Sequence, residues 1–387
     1  MSDGIVYLNN AATSWPKPES VVDRMVWALR ELSAAPGRGG ASMVERIVFE
    51  AREAVAGFIG ATDSSRIVFT CSATAALNLA ISGFLGEGGH VVTTSMDHNS
   101  VARPLARMED ISSVRVTRVQ ADRDGCLSPD AVMGSIRSDT TLVILTHASN
   151  VTGSIQPVNE ISQRLIALGE GRPKILVDAA QSLGVLPVDV VASGIDLLAA
   201  PGHKALYGPS GTGFLYIGEG VDLDPLLEGG TGGQSDSRRQ PDLLPERYES
   251  GTPNIPGIAA LGEAVGFISG MGLDQIREHE SGLLDMLLEG LSGLPGVLVH
   301  GPGDSGKQLA VVSFSVEDMD PAEVGSFLED AAGIRVRVGL HCSPFSHRTI
   351  GTYPEGTVRV SPGLFNTEED IHRFVGGVRD LLAMRRK

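Results

Sequence analysis

The chain reads as short, unbroken apolar runs separated by segments whose apolar residues recur every three or four positions. Ile67-Val68-Phe69, Val91-Val92-Thr93-Thr94, Leu142-Val143-Ile144-Leu145 and Ile175-Leu176-Val177 are runs of the first kind. Runs of that length fit strands covered on both faces. Arg115 to Val119 and Asp196-Leu197-Leu198-Ala199 read as two more strands. Segments 74–83 and 161–168 have helical spacing. A further helix is predicted from Ser128, a capping serine ahead of Pro129 at the first helical position. Strands alternating with helices predict a mainly parallel α/β sheet. Beyond about residue 254 the pattern changes. Helices are predicted over 255–270, 273–291 and 321–332, and strands over 297–300, 310–315, 334–338 and 357–361. A last helix starts near Thr367, with Glu368, Glu369 and Asp370 in its first turn. This second pattern predicts a smaller α+β unit. The expected division is a large α/β domain over 15–265 and a small domain made of 1–14 and 266–387. Gly229 to Gln240 reads as a long loop, of a kind that is usually functional.

The strand ends carry the candidate chemistry. Lys204 follows the predicted strand at 196–200 by way of Pro201-Gly202-His203, and Gly208-Pro209-Ser210-Gly211-Thr212-Gly213 then turns the chain. Asp178 stands at the end of the run 175–177. Both residues therefore belong to the carboxyl-end rim of a parallel sheet, where open α/β sheets bind ligands. Gln181, three residues past Asp178, reaches the same rim. An amine, a carboxylate and an amide at one rim suit pyridoxal phosphate. The lysine makes a Schiff base with the aldehyde, and the carboxylate keeps the pyridine nitrogen protonated, so that the ring draws electrons. The amide bonds the phenolic oxygen.

Composition narrows the setting. Lys and Arg number 31 against 47 Asp and Glu, a net charge of −16 that argues against nucleic acid as partner. The acidic surplus speaks to solubility and, for a protein partner, favours a basic one. Glycine accounts for 48 of 387 residues, above the usual ~7%, consistent with tight turns and close backbone approaches to a ligand. Three cysteines make no disulfide framework, which points to a reducing compartment, read as the cytoplasm. Met1-Ser2-Asp3-Gly4 shows no secretory leader, and no apolar stretch of about 18 residues is present to span a membrane.

Further motifs fall in order along the chain: Asn9-Asn10-Ala11-Ala12-Thr13, Ser72-Ala73-Thr74-Ala75-Ala76-Leu77-Asn78, Asp97-His98-Asn99-Ser100 and His147-Ala148-Ser149-Asn150. After the lysine come Ser250-Gly251-Thr252-Pro253-Asn254 and Arg359-Val360-Ser361. With Asp178–Gln181 and Gly202-His203-Lys204, this set resembles the class V aminotransferase family of fold-type I pyridoxal phosphate enzymes, and within it the cysteine desulfurase and selenocysteine lyase branch. The resemblance runs from Tyr7 to the final helix. It implies a large domain with a seven-stranded-type, mainly parallel sheet, a small C-terminal domain and a homodimer with shared sites.

It also implies roles for individual residues. Lys204 would be the Schiff-base lysine, Asp178 the pyridinium partner, Gln181 the phenolate donor and His98 the group stacked on the ring. Ala73, Thr74 and His203 would bind phosphate, with Gly251 and Thr252 reaching the partner subunit's cofactor. Asn150 would bond the phenolic oxygen or the substrate, Asn10 and Ala11 would line the substrate site, and Arg359 would hold the substrate carboxylate by a planar two-point contact. The implied activity is removal of sulfur from L-cysteine to leave alanine, with a sulfur-acceptor protein as a further partner. Selenocysteine lyase, another C–S β-lyase, an epimerase or an aminotransferase are the alternatives.

Desulfuration needs a thiolate. Cys71, between an apolar run and the phosphate turn, is expected to be buried or structural, and Cys126 a bystander in a turn. Cys342, in His341-Cys342-Ser343-Pro344, is expected in an exposed loop beside two histidines, and is the candidate nucleophile. One group of desulfurases carries its cysteine in about this loop; another carries it just before the carboxylate-binding arginine, where this chain has Val358. No metal site is expected: His341, Cys342 and His347 lack a fourth ligand. Gly301-Pro302-Gly303-Asp304-Ser305-Gly306-Lys307 mimics a phosphate-binding loop but leads into a strand pattern, so it reads as a connection between strands.

Overall fold

The computed structural model describes residues 4–32, 43–232 and 236–385. The chain opens with a short strand, β1 (Val6–Tyr7), and helices α1 (Glu19–Glu31) and α2 (Met43–Phe58). Strands and helices then alternate through β2 (Ile67–Thr70), α3 (Ala73–Phe84), β3 (Gly89–Thr94), α4 (Asn99–Ser112) and β4 (Val114–Val119). They continue through α5 (Pro129–Gly134), β5 (Thr140–Thr146), α6 (Val158–Ile166) and β6 (Lys174–Asp178), followed by β7 (Leu197–Pro201) and β8 (Gly213–Ile217). Next come α7 (Ile255–Met271), α8 (Leu273–Ser292), β9 (Val297–His300), β10 (Val312–Val316) and α9 (Pro321–Asp330). The last elements are β11 (Ile334–Arg335), β12 (Arg337–Gly339), α10 (Pro344–Ile350), β13 (Thr357–Val360) and α11 (Glu368–Arg385).

One seven-stranded sheet has the order β2-β8-β7-β6-β5-β3-β4. Only β8 runs against its neighbours. The apolar runs become its centre: Leu142, Val143, Ile144 and Leu145 are fully buried, each contributing about 2 kcal/mol by leaving water. Their alternate side chains feed two separate cores, one on each face. Helix α6 buries Val158, Ile161 and Leu165, the spacing of an amphipathic stripe. Ser128 caps α5 by accepting from the Ala131 N–H, with Pro129 at the first helical position.

A second, four-stranded antiparallel sheet has the order β12-β13-β10-β9 and shares a third core with α8, α9 and α11. Strand β1 is sewn into this end of the molecule by parallel pairing with β11. Gly301 to Lys307 connects β9 to β10, as expected of a loop between strands. Of the long loop at 229–240, residues 233–235 lie outside the described residues. Among the described residues, no single helix is long and apolar enough to cross a membrane.

Two expectations change. The single strand foreseen over 334–338 divides at Val336: β11 pairs with β1, while β12 pairs with β13 in the other sheet. The segment around Cys342 is a tight turn rather than an extended loop, because α10 begins at Pro344 directly after it.

Glu280 on α8 is buried, lines a small cavity with Tyr207, and has no hydrogen-bond or ion-pair partner among the described residues. Burial lifts its carboxyl from 4.5 to about 8, with Arg277 opposing. The folded chain then holds a proton that the unfolded chain releases, so stability falls as pH rises from about 4.5 to about 8. Glu280→Gln removes that dependence. Its melting temperature relative to the parent is expected to climb across this interval; a constant difference at every pH would contradict the assignment.

Candidate active site

Strands β2, β3, β5, β6 and β7 are mutually parallel, so their carboxyl ends share one rim. Pairing sets Thr146, Asp178 and Ala199 side by side there. The turns beyond the rim deliver Ala73, His98, Asn150, Asp178 and Lys204 to a single cleft of about 200 Å³, lined on its far side by Arg337, Cys342 and Arg359.

Lys204 and Asp178 both line the cleft and feel each other's charge. Burial brings the Lys204 amine down to about 8; Asp178 opposes this, while Arg359 and Arg337 reinforce it. An amine at that value is partly unprotonated slightly above neutral pH, and that fraction can act as base or nucleophile. Burial raises the Asp178 carboxyl, with the Ala180 N–H (3.0 Å to Oδ1) and Lys204 pulling the other way. Ser14 Oγ donates to the Lys204 carbonyl at 2.8 Å, and Lys17 Nζ donates to the His203 carbonyl at 2.9 Å, fixing the lysine's backbone.

The left wall is a helix start. Ser72 Oγ accepts from the Ala75 N–H at 3.2 Å, so the amides of Ala73 and Thr74 remain without an acceptor among the described residues. Two free amides on the positive end of a helix suit an anion. Gly213 lets β8 pass close by: a side-chain carbon there would stand 2.8 Å from Ser72 and 3.0 Å from the Ala73 nitrogen. His203, across from this turn, has a buried, unpartnered Nδ1, and burial lowers its imidazole to about 4. His98 is lowered to about 4 as well, by burial and then by Lys204. The Ser100 N–H donates to His98 Nδ1 at 3.0 Å, which places the ring proton on Nε2 in the neutral form.

The right wall carries two arginines from the second sheet. Arg337 and Arg359 are directly opposed across β12 and β13, an arrangement of like charges that weakens a sheet. No carboxylate lies within ion-pair distance of either among the described residues. Arg359 is 1% exposed; Nη1 donates to the Asn150 carbonyl at 2.8 Å, Nη2 to Asn9 Oδ1 at 3.2 Å, and Nε has no partner. Burial lowers it to about 9, Arg337 adding to the effect. A buried guanidinium without a counter-ion is costly unless an anion arrives to pair with it.

Cys342 is exposed at the mouth of the cleft. Arg337 Nη2 is 3.8 Å from its sulfur. His341 and Cys342 have φ of 48° and 60°, consecutive left-handed residues, each a strain of about 1–3 kcal/mol. The turn is held by its neighbours: Asn150 Nδ2 donates to the His341 carbonyl at 2.7 Å, Ser343 Oγ to Asn150 Oδ1 at 2.7 Å, and the Asn99 N–H to the Cys342 carbonyl at 2.8 Å.

The remaining sequence candidates are placed as follows. Gln181 borders the cleft and donates to the Ala11 carbonyl at 3.0 Å. Asn10 lies on the neighbouring cavity instead, its amide held by Ser361, Asn366 and Trp15. Gly251 and Thr252 line a different cleft, together with Cys71. Cys71 corrects an expectation: it is exposed rather than buried, because it turns out of β2 ahead of the helix cap. Cys126 is half-buried in its turn. Sequence reasoning missed Arg337, which carries no distinguishing signal within the strand predicted over 334–338, and Asn9, which neighbours the chosen Asn10.

This cleft belongs to a known architecture. Apo cysteine desulfurase from Thermococcus onnurineus superposes with a TM-score of 0.90 at 34% identity, over 98% of this chain and 95% of that one. The Escherichia coli cysteine desulfurase CsdA gives 0.86 at 26%, over 99% and 96%. The fold is thus that of the fold-type I pyridoxal phosphate enzymes. Residues 6–374 match the aminotransferase class-V family, and the chain belongs to it. A probable cysteine desulfurase from Methanothermobacter thermautotrophicus is 37% identical, over 98% of this chain and 95% of its own length. A cysteine desulfurase from Serratia proteamaculans is 33% identical, over 97% and 93%.

The family's cofactor fits the residues present. The free amides of Ala73 and Thr74, the orphaned His203 nitrogen and the Gly213 gap offer a phosphate seat. Lys204 and Asp178, in the same cleft, supply the amine and the carboxylate that an aldehyde and a pyridinium nitrogen would call for.

Proposed function

We propose that this protein is a pyridoxal phosphate-dependent cysteine desulfurase that takes sulfur from L-cysteine onto Cys342 and releases alanine. The observation that carries the reading is the opposed pair Arg337 and Arg359, without counter-ions among the described residues, lining one cleft with Lys204 and the exposed Cys342 thiol. Bound pyridoxal phosphate supplies an electron sink that loosens the substrate's α-hydrogen and then its C–S bond. Ala73, Thr74 and His203 would hold its phosphate, Asp178 and Gln181 would bind its ring nitrogen and phenolic oxygen, and neutral His98 would lie beside the ring.

Arg359 takes the substrate carboxylate through its two terminal nitrogens, which turns the α-carbon toward Lys204. The Lys204 amine receives the α-proton at Nζ. The Cys342 thiolate attacks the substrate sulfur and the C–S bond breaks with its electrons going to carbon; the proton given up by the Cys342 thiol ends on the methyl carbon, and Lys204 returns the α-proton to the α-carbon of alanine. Cysteine and the Cys342 thiol go in; alanine and a Cys342 persulfide come out, with no outside oxidant.

Further elements of the reading follow from the same site. The Gly251–Thr252 loop, lying away from the cleft of its own chain, supports a homodimer in which it serves the partner's cofactor. Free, exposed Cys71 and Cys342 support a reducing, cytoplasmic setting. The separate cores of the two sheets support the division into a domain over 15–265 and one built from 1–14 and 266–387.

The test is product analysis with L-cysteine and excess reductant. Alanine and sulfide are expected in equal amounts, and Cys342→Ser is expected to lose at least about a hundredfold of this turnover while the cofactor's absorbance persists. Pyruvate with ammonia in place of alanine, or full activity in Cys342→Ser, would overturn it.

A further inference from the structure

The whole chain is acidic, but the surface beside Cys342 is not. An open trough of about 490 Å³ runs from the thiol along the first turns of α4, lined by His98, Asn99, Arg103 and Arg107. Arg103 and Arg107 are exposed, and neither has a hydrogen bond or ion pair among the described residues. One helical turn apart, roughly 6 Å along the axis, they project from one face. Arg337 lies beside the sulfur at the near end, Nη2 at 3.8 Å. Other exposed arginines, Arg46, Arg115 and Arg335, are paired with carboxylates. The trough thus concentrates unpaired guanidinium groups on a protein of net charge −16.

We propose that this trough is the docking surface for an acidic protein segment carrying the thiol that discharges Cys342, an inference that rests on the desulfurase reading. A persulfide gives up its outer sulfur to a thiolate. The acceptor thiolate attacks that sulfur, the bond to Cys342 breaks, and Cys342 leaves as a thiolate, so atoms and electrons balance without a further reactant. A row of arginines leading to that bond captures carboxylates by charge and by forked hydrogen bonds. The trough is too open to enclose a small molecule, and its length along α4 matches a segment with acidic side chains on successive turns. The local charge therefore selects an acidic acceptor where the net charge alone favours a basic one.

The experiment uses the holoenzyme with Cys71→Ser and Cys126→Ser, so that Cys342 is its single thiol. The sulfur is loaded either from L-cysteine or chemically from polysulfide, and excess donor is removed. Single-thiol peptides of equal length, rich in glutamate, serine or lysine, then compete to discharge it, followed by mass spectrometry of Cys342. The glutamate peptide is expected to act about tenfold faster than the lysine peptide at low salt, with the gap closing above about 0.5 M salt. Arg103→Glu with Arg107→Glu is expected to reverse that preference, while discharge by uncharged dithiothreitol stays the same.

Equal rates for all three peptides, or a preference that the double substitution does not move, would overturn the docking surface. Failure of the desulfurase reading shows separately: cysteine then leaves Cys342 unloaded, while the polysulfide-loaded enzyme still reports on the peptides.

Discussion

Lys204→Ala is expected to lower alanine formation from L-cysteine by roughly a thousandfold or more, because it removes both the covalent anchor and the group that moves the α-proton. The environment of the amine explains the size of the effect. Burial holds it near 8 rather than at 10.5, so around neutral pH a useful fraction is unprotonated. Asp178 keeps it from falling further. A nearby hydroxyl or water has no comparable base strength at that position. The substitution also has a readout independent of turnover. Borohydride reduction of the parent protein supplied with pyridoxal phosphate is expected to leave a stable adduct on the peptide containing Lys204, and the variant is expected to leave none there. A label on another lysine, or turnover that survives the substitution, would refute the assignment.

Arg359→Leu is expected to reduce kcat/KM for L-cysteine by about two to three orders of magnitude, the scale of a lost charge-assisted contact with a buried partner. Cysteamine, which lacks the carboxylate, provides the control: its slower reaction should change little. Arg359→Lys should recover only part of the loss, since an ammonium cannot make the planar two-point contact. Because Arg359 also holds Asn9 and the Asn150 carbonyl, the melting temperature must be followed in parallel. An equal loss with both substrates would make Arg359 a structural residue and nothing more.

Much of this site was legible because parallel sheets concentrate chemistry at strand ends. Asp178 and Lys204 each follow a continuous apolar run, so their common rim could be derived before any coordinates, and the motif order supplied the rest. What escaped has specific physical causes. Arg337 belongs to a strand only three residues long, which exists because the chain changes sheets at Val336; neither event leaves a periodic trace.

Helix α10 escaped although Ser343-Pro344 repeats the start signal read correctly at Ser128-Pro129. The serine there does not cap, because its hydroxyl is spent on Asn150. Asn10 was favoured over Asn9 for want of any local difference. Only tertiary pairing, in which Asn9 bridges to Ser361, turns one amide toward Arg359 and the other away.

The left-handed backbone at position 342 sets stability against chemistry. Glycine is the residue that relaxes such a conformation, by roughly 1 kcal/mol or more. Any search for hardier variants, by consensus or by directed evolution under heat, is therefore drawn toward Cys342→Gly, a change that would toughen the molecule while deleting the thiol proposed to carry sulfur. Selection for thermal endurance should for that reason be paired with a thiol titration, since survivors gained at this position would be well folded and inert.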